Sequence, residues 1–235
     1  MCCRYLLLQQ HFREVLERLG LDAPGDFVPR YNIAPGTAIP AVRLKPSVPG
    51  REIAALRWGL VPSWTRGNPG PGLVNARAES LAGKPSFRDA LRARRCVIPA
   101  SGFYEWEVRG RARLPWLFRR GDGQPFGLAG LWESWRAPDG TRHETCAVIT
   151  TEPNELMRPI HHRMPAMLGP EQFDAWLDPD ATSAESLAPL LHPAAAAAMS
   201  ATALGPHVNH VGHDDPACLE PAGPAEASPQ LSLGI

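Results

Sequence analysis

The sequence is poor in lysine, long apolar runs and ordered cysteine spacing, and each shortage removes a class of protein. No stretch comes near the roughly 18 consecutive apolar residues that a membrane span needs. Leu6-Leu7-Leu8 is cut off by Gln9, Gln10 and His11, too soon for the apolar core of a secretion signal. The five cysteines, at positions 2, 3, 96, 146 and 218, are odd in number and irregularly spaced. That argues against a disulfide framework and for reduced thiols. A soluble, cytoplasmic protein with no membrane partner is expected, associated with the nucleoid if the source is bacterial. Internal repeats are absent as well.

Lysine is nearly missing: only Lys45 and Lys84 stand among 24 basic residues, the rest being arginine. Arginine's planar fork suits phosphate better than a mobile point charge does. Formal net charge is zero, yet residues 1–120 carry 20 basic and 9 acidic side chains, a balance of +11, and residues 121–235 carry 4 and 15, a balance of −11. A face built from the first half would attract an anionic partner.

A chain of 235 residues with 44% hydrophobic content supports one sizeable core. Short apolar or alternating segments bounded by Gly and Pro predict strands at Ala38–Leu44, Ile53–Leu60, Arg95–Pro99, Gly102–Val108, Leu114–Phe118, Phe126–Trp132 and Thr145–Thr151. Helical spacing predicts helices over His11–Leu19, Ser86–Arg94, Pro170–Leu177 and Ser183–Leu191. The glycine- and proline-rich stretch Arg66–Gly72 reads as a loop. Ala194–Ala198 reads as helix or as a tolerated alanine insertion. The expected class is α+β: a single domain over residues 1–220 with a mixed or antiparallel, barrel-like sheet core flanked by helices, then a flexible tail over 221–235.

Cys2 follows an initiator methionine that processing can remove. Once exposed, it would present an α-amine and a thiol on one residue. The amine, with an unperturbed pKa of about 7.7–8, can attack an open-chain sugar aldehyde such as the deoxyribose left when DNA loses a base. Water leaves as an imine forms, and the tethered thiol then closes a five-membered thiazolidine on the imine carbon. Proton-transfer candidates are Glu105, set between Tyr104 and Trp106 in an apolar stretch that raises a carboxyl pKa, and His161, which titrates near neutrality. Asn75 offers an amide, and Arg77, two residues on, would share its strand face and reach a phosphate. Among seven tryptophans, Trp64 precedes the flexible loop and is the best placed to stack on an unpaired base, with Arg4, Arg77 and Arg163 holding the backbone.

The ordered motifs Tyr31-Asn32-Ile33-Ala34-Pro35, Arg57-Trp58-Gly59-Leu60-Val61-Pro62, Asn75-Ala76-Arg77-Ala78-Glu79, Gly102-Phe103-Tyr104-Glu105-Trp106, Ile149-Thr150-Thr151 with Asn154, and Ile160-His161-His162-Arg163-Met164-Pro165 resemble the SRAP family of SOS-response-associated, peptidase-like proteins that crosslink to abasic sites. The resemblance implies Cys2 as nucleophile with Asn75, Glu105 and His161 around it, and Arg4, Arg77, Thr150 and Arg163 against the DNA strand. It implies single-stranded DNA containing abasic sites as partner, a monomer, no cofactor, and lyase and crosslink-reversal activities alongside the crosslink. One departure stands out: Cys3 fills a place where the family pattern has Gly, adding a second thiol.

Two other functions fit the residues. A thiol peptidase would use Cys2 with a histidine for acyl transfer, without needing a free amine. A non-catalytic single-strand reader would use the basic half and the tryptophans. His207, His210, His213 and Cys218 are spaced like zinc ligands, but Pro206, Pro216 and Asp214-Asp215 mark an irregular segment, and the resemblance places a plain Val208-Asn209 turn there. No bound metal is expected.

Overall fold

The structure is a computed structural model that describes residues 3–223. Strands run β1 Tyr5–Leu7, β2 Arg30–Ile33, β3 Ala38–Leu44, β4 Arg51–Trp58, β5 Asn75–Arg77, β6 Arg95–Ala100, β7 Gly102–Arg109, β8 Ala112–Arg120, β9 Phe126–Arg136, β10 Arg142–Thr151, β11 Met164–Pro165, β12 Met167–Leu168 and β13 Met199–Ala203. Helices are α1 Gln9–Arg18, α2 Pro85–Ala93, α3 Phe173–Leu177 and α4 Ala184–Leu187. The class is α+β in a single domain, as the strand-rich pattern predicts.

Five strands close on themselves. β4 pairs with β3, β3 with β6, β6 with β9, β9 with β10, and β10 returns to β4 in parallel, the other four pairings being antiparallel. β10 is long enough to serve two partners along one edge: Thr145 and Cys146 pair with β4, and Val148 to Thr150 pair with β5. A second sheet in the order β13-β8-β7-β1-β2 packs beside this barrel.

The barrel interior explains its glycines. A Cβ at Gly127 would sit 2.4 Å from Val97 Cγ1, and one at Gly130 would sit 2.7 Å from Cys96 Sγ, so these two β9 positions leave no room for a side chain beside β6. Tyr5 meets the fully buried Trp58 edge-on at 5.6 Å between ring centroids, joining the second sheet to the barrel core. Indole N–H groups stay satisfied: Trp58 donates to Val74 O and Trp176 to Cys96 O, each at 2.9 Å. Buried Arg95 donates to the carbonyls of Leu91 and Arg92, at the end of α2, and to those of Trp176 and Asp178, at the end of α3. Its single cation thus satisfies two helix C-termini at once.

α1 buries Phe12, Val15 and Leu16 and stops at Gly20, whose φ of +70° supplies the left-handed turn. The expected helix over Ser183–Leu191 is broken in two. α4 gives way to a 3-10 turn over Ala188–Leu191 because Pro189 has no N–H to continue the ladder. Ala196–Ala198 forms one 3-10 turn feeding β13, a strand the alanine-rich stretch did not announce.

Cys96, Cys146 and Cys218 are buried free thiols, with Cys96 pushed up to about 12 by burial, so they are inert. Pro221 bridges to Leu204, which carries ordered pairing into the start of the expected tail. The rest of that tail, 224–235, lies outside the described residues, as do Met1 and Cys2. No helix among the described residues is long and apolar enough to cross a membrane.

Candidate active site at the seam of the two sheets

Glu105 sits in the middle of β7, opposite Trp116 of β8, on the strand face shared with Phe103. That face turns inward, and Glu105 is only 3% exposed. Loss of solvation raises its carboxyl to about 7. His161 comes from the other side of the seam, in the loop between β10 and β11, with Nδ1 3.8 Å from Glu105 Oε1. Burial lowers the imidazole's pKa, so it is mainly neutral where Glu105 changes charge. A protonatable carboxyl beside a neutral imidazole can pass a proton to and from a third group.

The nucleophile of the sequence argument, Cys2, lies outside the described residues. Its neighbour Cys3 is described. Extending the β1–β7 register, in which Tyr5 faces Phe103, places Cys3 across from Glu105. The thiol of half-buried Cys3 is pushed up by burial and then by the Glu105 charge. No non-glycine residue among those described has positive φ. Cys3 therefore occupies ordinary backbone, and the place does not demand glycine for its dihedral.

Arg4 anchors this strand. Its guanidinium donates to Asn32 Oδ1 at 2.7 Å and Val208 O at 3.1 Å, and lies over the Trp106 ring at 5.4 Å. Asn32 in turn donates its amide to the carbonyls of Val208, His210 and His213. Asp214 receives the main-chain N–H groups of Tyr31 and Asn32 and pairs with Arg30. Asn32 and Asp214 were not singled out from the sequence as site residues, and they hold the segment on which the N-terminal strand rests. An invariable hint was present only in composition: an Asn inside an apolar strand motif must find partners when buried.

Asn75 and Arg77 share one face of β5, as their spacing predicts. Asn75 is half-buried and Arg77 exposed. Thr150 is 1% exposed, and its hydroxyl and carbonyl both take contacts from Arg163. Arg163 forks onto Glu79 at 2.7 and 3.0 Å and is itself mostly covered, so these two residues engage protein rather than open solvent. Trp64 is 63% exposed, the most exposed of the large aromatic side chains. It stands outside the Glu105–His161 cluster, before a loop where Gly67, Gly70 and Gly72 take positive φ.

Among the described residues one donor set could hold a metal ion: His207, Asp215 and Cys218, with ligand atoms within 4.8 Å of one another. Hydrogen bonds already use these groups. His207 Nε2 meets both Asp215 oxygens at 3.1 Å, Asp215 caps the turn at Ala217, and the Cys218 thiol donates to His213 O. His213 stacks on the His207 ring and His210 tilts against His213, neither joining the donor group.

The family model for the SOS response associated peptidase, SRAP, matches residues 1–211. The chain belongs to the SRAP family. Abasic site processing protein YoqW of Bacillus subtilis is 38% identical over 225 residues, covering 94% of this chain and 99% of the relative. Abasic site processing protein HMCES of Gallus gallus is 30% identical over 228 residues, covering 84% of this chain and 67% of the relative. Among solved structures, a Bordetella bronchiseptica protein superposes with a TM-score of 0.74 at 29% identity, covering 87% of this chain and all of its own. A Bacteroides thetaiotaomicron protein gives 0.73 at 29% identity, covering 81% and 84%.

Proposed function

We propose that this SRAP protein captures abasic sites in single-stranded DNA by bonding covalently to them through Cys2 after Met1 is removed. The observation that carries the reading is buried Glu105, with half-buried His161 beside it, lying across from the residue next to Cys2, in a chain 38% identical to a relative named for abasic site processing. The Cys2 α-amine adds to the open-chain sugar aldehyde, the carbinolamine loses water to give an imine, and the thiol adds across the C=N bond. The sulfur gains the carbon, the nitrogen gains the thiol's proton, and one water leaves overall. Glu105, raised to about 7, is protonated often enough to deliver the proton that expels water and ionised often enough to accept one afterwards. His161 serves the sugar oxygen when the ring opens. The same imine supports strand cleavage by β-elimination, and reversal runs through the same two groups.

Asn75 orients the reacting groups, Arg77 meets the backbone phosphate, and Trp64 stacks on an adjoining base. Arg4, Thr150 and Arg163 act from beneath, holding the surface on which the strand lies. No cofactor enters this chemistry, and a monomer contains every residue named.

The test is intact-mass spectrometry after mixing with an abasic oligonucleotide. The adduct should weigh one water less than the sum of the two and be lost in Cys2→Ala. Persistence of the adduct in that variant would overturn the assignment. The family's description as a peptidase favours a second reading, acyl transfer by the Cys2 thiol. Selective blockage of the α-amine separates the two: peptidase activity survives it, whereas crosslinking does not.

A further inference from the structure

We propose that Glu79 is a positioning residue for the seam, acting through Arg163 to fix the His161 ring. The inference rests on the reading above that His161 and Glu105 move protons. It starts from a cation that cannot stand alone. The Arg163 side chain is 11% exposed, and its Nε is buried with no hydrogen-bond partner. Glu79 supplies the opposite charge fork to fork, Oε1 on Nη1 at 2.7 Å and Oε2 on Nη2 at 3.0 Å. A two-point contact fixes the guanidinium plane as well as its position. Thr150 O adds a third contact at 2.5 Å.

The turn that delivers Glu79 is local. β5 ends at Arg77, and a 3-10 turn over Ala78–Ser80, tied by Ser80 Oγ to Arg77 O, brings Glu79 to Arg163 while Arg77 stays exposed. The Asn75-Ala76-Arg77-Ala78-Glu79 motif thus sends one side chain to solvent and another to the clamp.

The clamped residue holds His161 by its main chain. Arg163 N–H donates to His161 Nδ1 at 3.0 Å, and Arg163 O lies 3.0 Å from the same nitrogen. The neutral ring accepts from the N–H, leaving its own proton on Nε2, and the protonated ring can donate from Nδ1 to the carbonyl. One residue therefore serves both charge states without the ring turning. Nδ1 is also the atom 3.8 Å from Glu105 Oε1, so a shift of the Arg163 backbone changes that separation directly. Glu79, more than half exposed and outside the pair, sets it through two contacts.

The experiment uses the whole chain with Glu79→Gln, Glu79→Ala and Glu79→Asp. The His161 Cε1–H resonance is titrated by NMR without DNA, and crosslinking to an abasic oligonucleotide is timed across pH. In the Gln and Ala variants Thr150 still holds the cation while its counter-charge is gone, so His161 should titrate at lower pH than in the wild type. Crosslinking at pH 7 should slow on the order of tenfold to a hundredfold, as expected for a misplaced reacting group. Affinity for an intact oligonucleotide should change less than the rate does, and Asp should restore part of it. An unchanged His161 titration in Glu79→Gln, or a rate that falls only in step with affinity, would overturn the proposal. Should the wild type form no adduct, the proposed function fails, whereas the NMR titration still decides the role of Glu79.

Discussion

Replacing Glu105 by Gln should make the protein more stable at pH 8 and leave it nearly unchanged near pH 5. In the folded protein this carboxyl is held at about 7 by burial, against 4.5 for an ordinary glutamate. The native state therefore keeps its proton to higher pH than the unfolded chain does, and stability is lost as pH rises from about 4.5 through about 7. His161, held below its usual value, is neutral above pH 7 and provides no counter-charge there. At ~1.4 kcal/mol for each tenfold, the gap amounts to about 3 kcal/mol at pH 8 and less than about 1 kcal/mol at pH 5. Gln has nearly the same shape and no charge, so it removes this slope. Any fixed cost of the amide cancels between the two pH values. For a chain of this size, 1 kcal/mol moves Tm by roughly 2–4 °C, so the gap between variant and wild type should widen by roughly 5–10 °C from pH 5 to pH 8. Differential scanning calorimetry on both proteins across that range is the assay. Parallel Tm curves would show that Glu105 titrates like a solvated carboxylate, and the proton-transfer role given to it would fall with that result.

Three further outcomes follow from the same structure. Cys3→Gly should crosslink at a rate within a few-fold of wild type, measured by gel shift under denaturing conditions, because Cys3 takes no glycine-only conformation; loss of activity would give this thiol a part in the chemistry. Arg77→Ala should weaken binding to single-stranded oligonucleotides of any sequence and flatten the log–log salt dependence by ~0.7, the value for one phosphate contact on a single strand; an unchanged slope would remove Arg77 from the backbone. Gly130→Val should destabilise by about 1–3 kcal/mol in urea unfolding, since its Cβ alone would meet Cys96 Sγ at 2.7 Å; a silent substitution would mean that the β6–β9 contact can open.

The long strands were legible because alternation and flanking Gly and Pro persist over seven or more residues, as in β3, β7, β9 and β10. Strands of two to five residues, β1, β2, β5, β11, β12 and β13, carry too few positions for a period to register. They exist because longer neighbours offer open edges, and β5 beside the upper part of β10 is the plainest instance. The closed barrel could be stated as a class, but its parallel β4–β10 seam depends on pairing between residues about ninety apart, which no local pattern encodes.

At the site, Glu105 stood out because a charge inside an apolar strand must be buried, and His161 because few side chains titrate near neutrality. Their approach across two sheets was implied only by the family resemblance. The supporting residues were harder to see. Glu79, Asn32 and Asp214 are ordinary polar residues in sequence, and what distinguishes them is a partner 84, 176 or 182 positions away. The spaced histidines show the converse case. The ligand-like pattern at His207, His210, His213 and Cys218 places only His207 and Cys218 in 3-10 turns, where His207 turns to Asp215 and Cys218 to a carbonyl.

The most direct test is the intact mass of the mature chain before and after incubation with an abasic single strand. The account predicts a chain beginning at Cys2 that gains the oligonucleotide less one water, and no gain when the α-amine is blocked in advance. A chain that retains Met1 and still acquires the same mass would contradict it.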